Sequence, residues 1–322
     1  MTRVGRKTRR ILLAVAPLLA VAGAVAVGGS KSAHATGEDK TELDQRCATR
    51  LSIAMLGASP TATFFATPNP QGAVDPMLTS PAFIERFSRF VNATFNSGPG
   101  ALQTDDAVYF LTKYVLANAK PWTDLFIGQY TVDVDASKNM VVTADPNGLG
   151  YFRSLPWQRR YAGNETAGYK LSTAYRIVNN VVGVELTPSV AKPGDDRTSV
   201  GRKAAACAGC HYDSWFALDK IAKVLTRRQG TGDTMTFLPP SEGPQSVLDG
   251  ETVASDADLV NSMVKSPQFK FRACRLAFNF LYSRNENQCE ALLFDKCVDE
   301  FTSKGTIQSA VAIVAKDAGF CQ

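Results

Sequence analysis

The chain has 322 residues, of which 45% are hydrophobic and 20% charged, with 7 Cys and 2 His. That is ordinary globular composition, enough for one large or two modest cores, and it shows no internal repeat or low-complexity tract. Its 35 basic residues outnumber 30 acidic ones, but six of the basic residues and no acid fall in residues 1–35, so without that stretch 29 face 30, which argues against nucleic acid or an anionic membrane surface as a partner.

Residues 1–35 have the form of a signal peptide. Arg3, Arg6, Lys7, Arg9 and Arg10 precede a run of Leu, Ala, Val and Gly from Ile11 to Val27, and Ala33-His34-Ala35 fits a small-residue cleavage site. The expected chain after cleavage begins near Thr36 and is exported, to a bacterial periplasm or outside the cell. A membrane association is expected only if the segment stays uncleaved, because its apolar run approaches the lower limit for a bilayer span.

The rest reads as mainly helical. A helix is expected from Thr41 to Leu56, with Leu43, Cys47, Leu51 and Ala54 at helical spacing, followed by a Pro-containing loop over 57–72. Ser80-Pro81 is a strong helix start, and Ile84, Phe87, Val91 and Phe95 then form a core-facing stripe. Thr104 is expected to cap the next helix, with Val108, Leu111 and Val115 facing inward and Pro121 closing it. Tyr130, Val132 and Val134 alternate with polar residues, as do Met140 and Val142, which predicts a short hairpin. A helix follows from Tyr169 to Val182, then a loop over 191–201.

Cys207-Ala208-Gly209-Cys210-His211 is the attachment signature of a c-type haem. The spacing lets two thiols reach the two vinyl groups of one porphyrin, and it puts the next residue under the iron. Cys207 and Cys210 are the expected thioether tethers, and His211 is the expected proximal ligand. The competing readings are a redox dithiol, half of a zinc site, or an ordinary disulfide. Zinc takes four ligands, yet with residues 1–35 removed His211 is the only histidine. A thioredoxin-like dithiol usually adjoins a βαβ pattern, and none is visible.

A helix is expected from Ser214 to Arg228, then a long irregular segment over 230–251, then helices from Ser255 to Lys265 and from Ser266-Pro267 to about Tyr282. The far side of the iron lacks a second histidine as ligand. Met235, in the long loop, is the expected distal iron ligand, with Met263 as runner-up, then an upstream Met140 or Met77, or no strong ligand at all.

Cys274, Cys289, Cys297 and Cys321 are disulfide candidates in an exported protein. Cys289 and Cys297 read as one helix, about 12 Å apart at 1.5 Å per residue, too far to bond. Cys274 and Cys297 are nearly symmetric about the polar turn at 284–288, and Cys289 and Cys321 about the turn at 302–305. The expected pairs are Cys274–Cys297 and Cys289–Cys321, with Cys47 left as a buried free thiol.

With the haem motif placed, the chain resembles the planctomycete-type cytochrome c family, exported mono-haem proteins also seen in myxobacteria-like genomes. The similarity lies in residues 50–90 (including Val74-Asp75-Pro76-Met77-Leu78 and Ser80-Pro81-Ala82-Phe83), in Tyr175-Arg176 with Asn179 to Gly183, in the haem motif, and in residues 258–284. The resemblance implies a mostly helical fold, one covalent haem c and a redox role; only Cys207, Cys210 and His211 carry over as site residues. Where the family often continues with Asp-Pro-x-Gly-Phe, this chain has Tyr212-Asp213-Ser214-Trp215-Phe216.

The expected fold class is mainly α. Residues 36–190 form a helical N-terminal domain, 191–265 a cytochrome-c-like haem module, and 266–322 a disulfide-stapled helical segment. The expected function is electron transfer to or from a protein partner, more carrier than catalyst, with no catalytic residue assigned. Two alternatives stay open: an open-site haem enzyme or ligand sensor, peroxidase-like or gas-binding, and a structural or docking subunit of a periplasmic redox complex.

Overall fold

Side-chain caps set where many of the helices begin. In the computed structural model, which describes residues 39–96, 106–161, 171–186, 193–229, 236–240 and 242–322, Asp39 accepts from the Thr41 amide at 3.0 Å and opens α1 (Lys40–Leu51). The helix runs on through one π-helical turn, Ser52–Leu56, and stops at Gly57, whose φ of 72° suits a residue without a Cβ. Thr61 caps α2 (Ala62–Phe65), and a 3-10 turn leads into α3 (Val74–Leu78). Ser80 accepts from the Phe83 amide at 3.2 Å to start α4 (Pro81–Phe95); Pro81 sits in the first turn, where its missing N–H costs nothing. α5 (Ala107–Ala117) and the short α6 (Asp124–Ile127) complete this half. The expected cap Thr104 and the expected signal peptide, 1–35, lie outside the described residues.

β1 (Tyr130–Val134) pairs antiparallel with β2 (Met140–Ala144), Val132 opposite Val142, as the alternation predicted. α7 (Leu155–Tyr161) and α8 (Leu171–Val182) follow. Then come α9 (Ala205–Ala208) and α10 (Leu218–Val224). α10 is shorter than the helix expected over 214–228. Its front is a turn at Ser214–Ala217, and Leu225 turns extended and feeds a strand.

The segment expected to be irregular holds two more hairpins. β3 (Arg227–Gln229) pairs with β4 (Thr236–Leu238), and β5 (Gln245–Val247) with β6 (Glu251–Val253), all antiparallel. The second hairpin turns through Leu248, Asp249 and Gly250, all at positive φ. Three-residue strands are too short to show a two-residue period, so only Asp249-Gly250 marked this turn in the sequence. α11 (Asp256–Lys265), capped by Ser255, and α12 (Pro267–Tyr282) match expectation. A 3-10 turn, Gln288–Glu290, precedes α13 (Ala291–Lys304), and α14 (Ile307–Ala315) ends near the C-terminus.

The buried apolar side chains form one cluster. Its centre is aromatic: the Phe87 and Phe280 rings meet edge-on at 4.9 Å, and Phe126 contacts Phe95, Tyr151 and Phe269. Residues from Asp39 to Gln322 form one compact unit. The segments expected as N-terminal domain, haem module and C-terminal staple share its core, since α8 packs against both α10 and α12. Among the described residues no helix is long and apolar enough to cross a membrane.

Cys274 on α12 and Cys297 on α13 stand at disulfide distance, Cα atoms 5.9 Å apart, as expected. Cys321 does not meet Cys289. Its partner is Cys47 on α1, at 4.6 Å between Cα atoms, so Cys47 is no free thiol, while Cys289 is unpaired and exposed. A Cys289–Cys321 pair would need the chain to run back along α13 to its end. Instead α14 stops at Ala315, and the tail turns at Asp317 through a 3-10 turn, Ala318–Phe320, onto α1. Cys289 precedes α13 in its own turn rather than sharing that helix with Cys297.

Candidate functional site

The motif occupies one unbroken helical stretch. α9 carries Cys207 and passes directly into a π-helical turn, Gly209–Asp213, that carries Cys210 and His211. The Ala204 carbonyl starts the stretch by accepting from the Cys207 and Ala208 amides, each at 2.8 Å; the Ser214 amide closes it on the Gly209 carbonyl at 2.9 Å. Residues three apart share a helical face, so this backbone presents both sulfurs to the same side. Cys207 is half-buried and Cys210 exposed, and neither is in a disulfide.

The Ser214–Ala217 turn folds α10 back on the motif. Asp219, in the first turn of α10 and 2% exposed, thereby reaches His211, with Oδ2 2.7 Å from Nδ1. Arg202 grips the same carboxylate from the other side, with Nη2 donating to Oδ1 at 2.8 Å and Nε to Oδ2 at 3.0 Å. The Tyr212 hydroxyl stands 3.1 Å from Oδ1 and 3.0 Å from the Ser199 carbonyl, its one proton serving both acceptors. Burial pushes the Asp219 carboxyl up, but the hydrogen bonds from His211 and Arg202 and the guanidinium charge outweigh it and bring it down to about 2. The Tyr212 phenol moves upward, first by burial and then by the Asp219 charge.

Trp215 and Phe216 meet edge-on at 5.3 Å and pack, half-buried, against the core. The Leu248 amide donates to the Trp215 carbonyl at 2.7 Å, tying the motif's exit to the turn between β5 and β6. Arg202 and Asp219 belong to no motif in the sequence, whereas Tyr212, with Trp215 and Phe216, is expected from it to pack the haem edge or the core; its hydroxyl lies against Asp219. Asp219 lies eight residues past His211, but the Ser214–Ala217 turn puts the two on separate elements, so no single helical or strand period relates them.

Of the expected distal ligands, Met235 lies outside the described residues. Met263, on α11, is a core side chain at 1% exposed; Met77 is buried too, and Met140 packs on the edge of the core. Among the described residues no group of three or more His, Cys, Asp or Glu stands close enough to hold a metal ion, so the zinc alternative finds no ligand set there. A wide concavity between α4 and α12, lined by Arg86, Arg89, Phe90 and Phe280 among others, includes no residue of the motif. No family model, curated protein or solved structure matches the chain.

Proposed function

We propose that this chain is an exported c-type cytochrome that holds one haem c covalently and passes single electrons to or from a protein partner. The observation that carries the reading is a contrast among the cysteines. Four of the seven stand at disulfide distance in pairs, whereas Cys207 and Cys210 are left unpaired on one helical face with His211 directly after them. Each of these thiols can add across a vinyl C=C, sulfur to one carbon and hydrogen to the other, with no leaving group and no oxidant. Haem, when bound, supplies a one-electron Fe(III)/Fe(II) couple. His211 would ligate through Nε2, the ring nitrogen that its bond to Asp219 leaves available. Trp215 and Phe216 offer apolar ring surface beside the motif and would help keep water from the iron. The two cysteine pairs support an oxidising compartment, in keeping with export. The likeness to planctomycete-type cytochromes c belongs to this same proposal.

The test is expression with export in a bacterial host that attaches haem to c-type cytochromes. A chain carrying one haem that survives denaturation, with a pyridine haemochrome spectrum of the thioether type, is the expected product. The Cys207→Ala, Cys210→Ala double variant should lose it. A purified chain without haem, in which Cys207 and Cys210 are recovered joined to each other, would overturn the reading. The same sample separates carrier from open-site protein: a low-spin ferrous spectrum unchanged by carbon monoxide is expected of the carrier.

A further inference from the structure

A metal-bound imidazole has two nitrogens, and the partner of the second tunes the first. In this chain that partner is a carboxylate with unusually complete support. Asp219 is 2% exposed, lies 2.7 Å from Nδ1 of His211, and is held by the two-pronged contact with Arg202. The fork of a guanidinium matches an ionised carboxylate, not a protonated one. The side chain of Arg202 is itself 13% exposed, so the pair is largely withdrawn from solvent screening.

Resting on the haem reading above, we propose that Asp219 sets the reduction potential of the iron through His211, with Arg202 as its counterweight. The carboxylate draws the Nδ1 proton of the ring toward itself, which leaves more electron density on Nε2 and makes it the stronger donor. A stronger donor, and a buried negative charge behind it, both favour Fe(III) over Fe(II), so Asp219 holds the potential down. Arg202 neutralises part of that charge and holds the potential up. Asp219 touches no reacting atom; it acts through His211 as a positioning residue.

The opposed signs are what an ordinary structural role would not produce. Loss of packing at a site usually moves the potential the same way whichever partner is removed; removing a negative and a positive charge must move it in opposite directions. Tyr212, which shares one neutral proton with Asp219, should matter least.

The test uses the full exported chain with haem attached. Spectroelectrochemical titration should show Asp219→Asn shifting the Fe(III)/Fe(II) equilibrium at least tenfold toward Fe(II), a rise of about 59 mV for a one-electron couple. Arg202→Gln should shift it toward Fe(III), and Tyr212→Phe should change it least. A second readout is the paramagnetically shifted NMR resonances of the His211 imidazole in the Fe(III) protein, expected to move in Asp219→Asn as the donor strength of Nε2 falls. If Asp219→Asn does not accumulate, the sign of the Arg202→Gln shift carries the test alone. Haem attached with potentials unmoved, or moved in one direction by both variants, overturns this inference and spares the haem reading. A wild-type chain without covalent haem overturns both.

Discussion

Glu85 shows what one side chain can do between two helices. It sits on α4, with Oε1 accepting from Arg89 Nε at 2.6 Å, while Oε2 accepts from Tyr109 Oη at 2.6 Å and from Lys113 Nζ at 3.0 Å, both on α5. Burial alone would raise its pKa; the hydrogen bonds from Tyr109, Lys113 and Arg89 and the Lys113 charge reverse that and lower it from 4.5 to about 2. The sign follows from linkage. A carboxyl depressed in the folded state stabilises it fully above the unfolded pKa and loses that contribution as pH falls through the folded one. The contribution of Glu85 is therefore whole above about pH 4.5, fades below that, and is gone below about pH 2. Its side chain is 34% exposed, so solvent screening keeps the effect modest. Chemical unfolding at a series of pH values should find Glu85→Gln less stable than wild type at pH 7, with the two curves converging as the pH drops to 2. Parallel curves over that range would show that the cluster does not couple α4 to α5.

At the scale of elements, packing rather than charge decides, and Phe87 is the clearest case. It is fully buried on α4, stacked on Phe83 at 5.5 Å and edge-on to Phe280 of α12 at 4.9 Å and Trp122 at 6.3 Å. Phe87→Ala removes the ring where three segments meet, and neighbouring rings cannot all collapse into the space; the expected cost is about 3–5 kcal/mol, read from denaturant midpoints. A loss below 1 kcal/mol would mean that α12 does not seat on α4 in this way. Elements of this kind were the legible ones. The start of α4 was written in Ser80-Pro81, and its buried face in Ile84, Phe87, Val91 and Phe95 at helical spacing; β1 and β2 were written in alternation over five residues each. Strands of three residues carry no period, and β3 to β6 were accordingly invisible. The site divides along the same line. Cys207, Cys210 and His211 stand out because thioether chemistry demands a fixed spacing within one short stretch. Arg202 and Asp219 flank that stretch at spacings set by turns, and only the folded chain brings them onto one imidazole. The pairing of Cys321 failed for a related reason, since a long-range contact was judged from local helix geometry.

At the scale of the whole molecule, that pairing is a device for closing the described chain on itself. Cys321 meets Cys47 across a sequence separation of 274. The contacts around it act in the same direction. Arg50 of α1 donates to the Gln322 carbonyl at 2.9 Å and lies over the rings of Phe320 and Tyr282, at 4.8 and 5.3 Å. Gln71 donates to the carbonyls of Ala315 and Asp317, and Lys316 pairs with Asp75 at 2.6 Å. The exposed ion pair adds little, and the hydrogen bonds about 1 kcal/mol each. The cross-link acts differently, by withholding conformations from the unfolded chain, and a link across so long a loop is expected to contribute about 5 kcal/mol. Cys321→Ser should lose that much in denaturant unfolding, and Cys47→Ser about the same, while the double variant should lose no more than either alone because both remove one bond. Cys289→Ser, at an exposed and unpaired position, should match wild type. Non-reducing peptide mapping checks the connectivity directly: Cys47 should be recovered with Cys321, Cys274 with Cys297, and Cys289 as an alkylated thiol. Recovery of Cys321 joined to Cys289 would detach the C-terminus from α1 and restore the pairing that local helix geometry had favoured.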